Sequence, residues 1–170
     1  MRARDESPAG REERAAVLKE RIYLTFAALA VVLALAGHGH PTAGEALTTL
    51  GVTLAGTVLA VFTADVVSHI VVHESLPSRA EMRHIVGTLV GALGGVAVPF
   101  VFLGLSAAGA WEPDRALHAS AVALIVALIV IGWLAVRRAR ITWWQRLVVL
   151  GAEAVLGLAV IGLQLVAHGG

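Results

Sequence analysis

The chain of 170 residues contains no cysteine and only one lysine, and it is poor in aromatic and charged side chains. Without cysteine it can form no disulfide, thiolate metal site or cysteine nucleophile. Any metal ion must therefore be held by carboxylate or imidazole groups. The charged share of 15% and the mean hydropathy of +0.81 indicate an integral membrane protein. With a formal net charge of +1 and no basic patch, we expect no nucleic-acid partner.

Motifs of common enzymes are also missing. The sequence has no G-x-G-x-x-G loop after a strand, no H-E-x-x-H helix and no pairing of a nucleophile with a base in its apolar stretches. We therefore expect neither an enzyme nor a resident cofactor. A membrane enzyme is the least favoured of three functional hypotheses, and any bound metal ion is expected to be cargo.

Apolar stretches long enough to cross a bilayer, which takes roughly 20 residues, dominate the chain. They predict an all-α, polytopic membrane protein with five spans in one domain, preceded by a charged N-terminal segment at 1–21. Pro77 and the capping-box pair Ser78 and Glu81 predict a tight turn between the second and third spans. The predicted spans are 22–37, 46–73, 82–105, 116–136 and 146–167.

Basic residues are concentrated on one side of the predicted bundle. Twelve of the thirteen Lys and Arg residues fall in the N-terminal segment, in the turn after span two and between spans four and five. The opposite side holds only Arg115. The positive-inside rule then places the N-terminus in the cytoplasm and the C-terminus outside. We expect the protein in a bacterial inner membrane.

The stretch 60–81 places a carboxyl group inside an otherwise apolar run. Asp65, His69 and His73 follow at intervals of four residues, so they form one stripe on a helix. A charged residue in a membrane span costs a few kcal/mol and usually faces the bundle interior or a water-filled path. The stripe is therefore a candidate site for a metal ion or for protons.

Glu153, in the fifth predicted span, lies at a depth comparable to that of Asp65. Carboxylate and imidazole ligands suit divalent iron, manganese or zinc. Because such ligands bind metal only when deprotonated, binding depends on pH and can couple to a proton gradient. We expect Asp65 as the central ligand, assisted by His69, His73 and Glu153. Two alternatives stay open: a proton relay without metal, and a structural hydrogen bond from Asp65 to a neighbouring helix.

Small residues mark the third span as a packing helix. Gly87, Gly91 and Gly95 recur at intervals of four and let another helix approach closely, within the bundle or at a homodimer seam. Pro99 predicts a kink in the same span.

Short motifs in spans two and three resemble the vacuolar iron transporter family. Ala55-Gly56 followed by the run at 65–68, DVVS, is similar to that family's second-span pattern of Ala-Gly and then Glu-Tyr-Val-Ser. The run at 93–100, LGGVAVPF, is similar to its third-span Leu-Gly-Ala-Leu-hydrophobic-Pro. The resemblance covers about residues 22 to 168 and implies five spans, an N-terminus inside, a dimer and a role for Asp65 as counterpart of the family's second-span Glu.

The chain also departs from that family. It lacks the acidic residue of the first span and the second-span methionines, and only residues 75–80 stand where the family's iron transporters insert a Glu-rich metal-binding region. Our working hypothesis is a divalent metal transporter, coupled to protons. The alternative is a non-transporting membrane scaffold that acts through helix contacts.

Overall fold

The computed structural model describes residues 8–37, 39, 41–138, 144, 151 and 155. These residues form helices joined by short connections, with no strand among them, so the all-α prediction is confirmed for this part of the chain. The elements are α1 Pro8–Gly37, α2 Ala43–His73, α3 Arg79–Leu93, a 3-10 turn Gly94–Val96, α4 Ala97–Ala107 and α5 Pro113–Arg138.

Four stretches within the described residues are long and apolar enough to cross a membrane. They are Arg14–Gly37, Ala43–His73, Arg79–Ala107 and Pro113–Ala135, and they match the first four predicted spans. Of the predicted fifth span at 146–167 only residues 151 and 155 are described, and Glu153 lies outside the described residues.

Helix α1 is the centre of the bundle and packs against α2, α3 and α5. Its residues Leu24, Ala28 and Val32 are fully buried, because a spacing of four keeps them on one face of the helix. They belong to a core that includes Leu50 of α2 and Leu117 of α5. In a bilayer such close contact of side chains stabilises the bundle.

The first helix begins earlier than the predicted span. It runs without a break from Pro8, so most of the charged segment predicted at 1–21 and the span predicted from residue 22 form one helix. Proline fits the first helical turn, and no proline follows to interrupt the helix. Residues 14–21 are therefore positioned by the bundle rather than by a separate surface helix.

Capping boxes begin α2 and α3. The Ser78 hydroxyl accepts a hydrogen bond from the Glu81 backbone N–H at 3.3 Å, and the Glu81 carboxylate accepts one from the Ser78 N–H at 2.7 Å, so that predicted box is confirmed. Thr42 and Glu45 form a second box before α2. Each box satisfies backbone donors that a helix start leaves unpaired.

The third apolar stretch is interrupted just before its proline. Pro99 lies three residues into α4, and the 3-10 turn Gly94–Val96 separates α4 from α3. The proline ring clashes with the carbonyl four residues earlier, at Gly95, which explains a break at this position. The interruption brings Gly95 against α1: a Cβ atom there would lie 3.3 Å from the Thr25 hydroxyl.

Successive spans run in opposite directions because short connections join them. The N-terminal part of α1, the C-terminal end of α2 and the start of α3 therefore meet at one end of the bundle. The end of α1, the start of α2 and the connection at 108–112 lie at the other end.

Candidate functional site

A groove at the first of these two ends gathers ionisable side chains from three helices. Its volume is about 310 Å³, and its walls come from α1, α2 and α3. We call it the polar groove and define it by its six ionisable residues: Lys19, Glu20, Asp65, His69, His73 and His84.

Glu20 is the most buried ionisable side chain among the described residues. It is 2% exposed, and its Oε2 has no hydrogen-bond partner there. Its Oε1 lies 3.0 Å from the Nζ of Lys19, whose own side chain is 55% exposed. A buried polar atom without a partner costs about 1 to 3 kcal/mol. Such a cost is typical of positions kept for binding or proton transfer.

Asp65 supplies the second carboxylate of the polar groove. It is half-buried, and it makes no hydrogen bond or ion pair with any other residue that the structure describes. The ammonium of Lys19 lies within electrostatic reach of it. Two carboxylates from adjacent helices thus line the same groove as Lys19.

Three histidines also line the groove. The rings of His69 and His73 have centroids 4.5 Å apart, as their spacing on one helix face predicts. Nε2 of His69 lies 3.8 Å from the Oε2 of Glu81, across the turn between α2 and α3. The imidazoles thus add nitrogen atoms to the oxygen atoms of the two carboxylates.

Metal ligation at the groove needs more than the described residues offer in this conformation. No three His, Asp or Glu side chains of the described part converge closely enough to hold a metal ion. Asp65, His69 and His73 therefore share one groove without forming a closed cage.

Contacts between α1 and α3 join two of the helices that form the groove. Nε of Arg21 donates a hydrogen bond of 3.0 Å to the carbonyl oxygen of Gly91, where α3 approaches the 3-10 turn. A Cβ atom at Gly91 would lie 3.7 Å from Val17. Of the predicted packing residues, Gly91 and Gly95 thus face α1 and Pro99 is buried, whereas a Cβ atom at Gly87 would have nothing within 4 Å.

A larger depression, of about 660 Å³, lies at the opposite end of the bundle. Its charged residues are Glu112 and Arg115, which pair with each other at 3.1 Å and are 72% and 78% exposed. Because this pair is fully solvated, it points to no binding chemistry. The polar groove is the better candidate.

Glu20 is the residue that sequence reasoning missed. The charged composition of residues 1–21 predicts a solvated segment. Glu20, however, precedes Leu24, Ala28 and Val32 by four, eight and twelve residues. This register continues the buried face of α1 towards its N-terminus. The spacing therefore contained a signal that local composition concealed.

Comparison of the chain with known protein families, with curated proteins and with solved structures finds no match.

Proposed function

We propose that this protein transports a divalent cation, iron, manganese or zinc, across a bacterial inner membrane, coupled to protons. In this proposal the polar groove is the cytoplasmic entrance and Asp65 is the central ligand. His69 and His73 assist it, Glu153 contributes from the fifth span, and the homodimer and the N-terminus-inside orientation complete the arrangement.

One observation carries the proposal: two carboxylates on different helices, Glu20 and Asp65, line a single groove in an otherwise apolar bundle. Membrane spans tolerate acidic residues mainly along ion pathways or in internal pairs. Asp65 forms no hydrogen bond with another described residue, which favours a role as a ligand over a structural role. Hard oxygen ligands beside imidazoles match a divalent first-row cation.

The arginines support the orientation. Arg79 and Arg83 lie at the same end of the bundle as the groove, and Arg115 lies at the opposite end. By the positive-inside rule the groove faces the cytoplasm, where it can receive ions and exchange protons with water. The resemblance to vacuolar iron transporters is consistent with this direction.

Ion flux tests the proposal directly. The full chain is reconstituted into liposomes, and the uptake of Mn²⁺ is followed with and without a pH gradient, for wild type and Asp65→Asn. We expect uptake that responds to the gradient, because the ligands release protons as metal binds. Asp65→Asn should lower the initial rate at least about tenfold, as loss of a metal-site residue commonly does.

A matched control is Asp114→Asn, which removes a carboxylate at the start of α5 at the other end of the bundle. It should transport at the wild-type rate. If liposomes containing the protein take up no more Mn²⁺, Fe²⁺ or Zn²⁺ than empty ones, the transport proposal is wrong.

The scaffold hypothesis is favoured by a different observation. In the most apolar stretch of α2 only 11% of the residues are buried, against 33% in α1 and in α5. Helix α2 therefore leaves Val52, Leu59 and Val71 exposed. A second copy of the chain can cover such a face. A scaffold would bind a partner through this face and would show no ion flux. Asp65→Asn would not change its binding of the partner.

A further inference from the structure

Lys19 is the only lysine of the chain, and it lies in the polar groove. Its ammonium is 3.0 Å from Oε1 of Glu20, and its stem reaches the surface because the side chain is 55% exposed. A long side chain of this kind can move its charged end into water without breaking the helix that carries it. Lys19 is therefore a mobile cation that pairs with Glu20 and lies within electrostatic reach of Asp65.

We propose that Glu20 and Asp65 form a cation-binding site in which the ammonium of Lys19 is a built-in competitor, displaced when a divalent cation enters. This inference rests on the proposed function and adds the mechanism by which the site opens. Glu20 supplies the independent sign of a ligand site, because it lines the groove, is 2% exposed and has an Oε2 with no hydrogen-bond partner among the described residues.

The competition follows from the charges. A divalent cation bound to the Glu20 carboxylate and the ammonium paired with the same carboxylate repel each other, because both are positive and only 3.0 Å separates the ammonium from Oε1. The divalent ion attracts each carboxylate with twice the charge of the ammonium. When no ion is present, Lys19 keeps Glu20 from being a buried charge without a counter-charge, which is the costly state.

Amine labelling of the native chain tests this directly, because Lys19 and the N-terminus carry the only primary amines. The detergent-solubilised protein is treated with a water-soluble acetylating ester, with and without Mn²⁺, and acetylation is followed by mass spectrometry of the tryptic peptide at 15–21. The neutral amine is the nucleophile, and a carboxylate that pairs with the ammonium lowers the share of neutral amine until the pair is broken.

We expect Mn²⁺ to raise the acetylation rate of Lys19 about three- to fivefold. The increase is limited because an ion pair with one half-exposed side chain favours the paired over the released ammonium only several-fold. The N-terminal amine is the internal control and should not change. Potassium at matched ionic strength should have little effect, and Asp65→Asn should remove the effect of Mn²⁺. An unchanged or slower rate with Mn²⁺ overturns the inference.

A binding measurement on variants gives a second test. Lys19→Met should bind Mn²⁺ about three- to fivefold more tightly, measured by electron paramagnetic resonance of free Mn²⁺, because the competitor is gone. Lys19→Arg keeps the charge and should show no such gain. Equal affinity in wild type and Lys19→Met contradicts the inference. If Lys19→Met does not fold, the labelling of wild type decides.

The two proposals fail in distinguishable ways. Labelling accelerated by Mn²⁺ in a protein that moves no ion means that the groove binds the cation and that only the transport function is wrong. Flux that requires Asp65, together with labelling that ignores Mn²⁺, means that the displacement of Lys19 is wrong and transport stands.

Discussion

Replacing Glu20 by methionine should stabilise the protein while removing cation binding. Methionine is apolar, close to glutamate in length and flexible enough to fill the same space beside the buried face of α1. The change removes the buried Oε2 that has no partner among the described residues. It also releases Lys19, whose exposed ammonium can turn into water.

The expected change in the free energy of unfolding is the sum of two opposing contributions. Removing a buried polar atom without a partner restores about 1 to 3 kcal/mol. Losing an ion pair whose other member is half-exposed costs at most about 1 kcal/mol. With mid-range values of about 2 kcal/mol restored and about 0.5 kcal/mol lost, the net gain is about 1.5 kcal/mol, within the range measured when buried ion pairs are replaced by apolar side chains. For a chain of this length it raises Tm by about 3 to 6 °C.

The assay is thermal unfolding in detergent, followed by tryptophan fluorescence, with Mn²⁺ binding measured on the same samples. Glu20→Gln is the first control, because its amide keeps a buried polar group and should give no gain. Glu112→Met is the second, since that side chain is 72% exposed and its replacement should change stability by no more than about 0.5 kcal/mol.

A clear outcome would refute this reasoning. If Glu20→Met lowers Tm by several degrees while Glu112→Met does not, the Glu20 carboxylate is a stabilising structural group. Its burial then reflects fold stability, and it should be withdrawn from the cation site.

Two further predictions test the packing and the orientation. Gly95→Val should destabilise the bundle by about 1 to 3 kcal/mol, because even a Cβ atom would lie 3.3 Å from the Thr25 hydroxyl. Gly87→Val, in open space on α3, should cost far less in the same thermal unfolding assay, and equal losses would contradict the contact. Because the chain lacks cysteine, Ser78→Cys and Ala110→Cys each introduce a unique thiol at opposite ends of the bundle. In oriented vesicles a membrane-impermeant maleimide should label Ser78→Cys only from the cytoplasmic side and Ala110→Cys only from the outside, and the reverse pattern would invert the proposed orientation.

The helices could be predicted because their signals are local. Apolar runs of sufficient length indicate spans, and Ser78 with Glu81 marks a helix start through hydrogen bonds over three residues. Pro99 similarly indicates an interruption through its own ring geometry. These features depend on neighbours along the chain, so they can be read without knowing the tertiary structure.

Glu20 shows where local reading is insufficient. Among the charges of the N-terminal segment it looks solvated, but the continuous helix α1 carries it into the bundle on the same face as Leu24. Burial is a property of the assembled helices, because it depends on what lies opposite each face. Composition alone therefore assigned Glu20 to the wrong environment.

By itself, the sequence determined the class of the protein, its apolar helices and the stripe formed by Asp65, His69 and His73, because each depends on composition or on helical periodicity. Only the tertiary structure decided that this stripe shares a groove with Lys19 and Glu20, and that Gly95 rather than Gly87 is the close contact with α1. The physical reason is that distances between helices arise from the packing of several faces at once, and no single stretch of the chain encodes them.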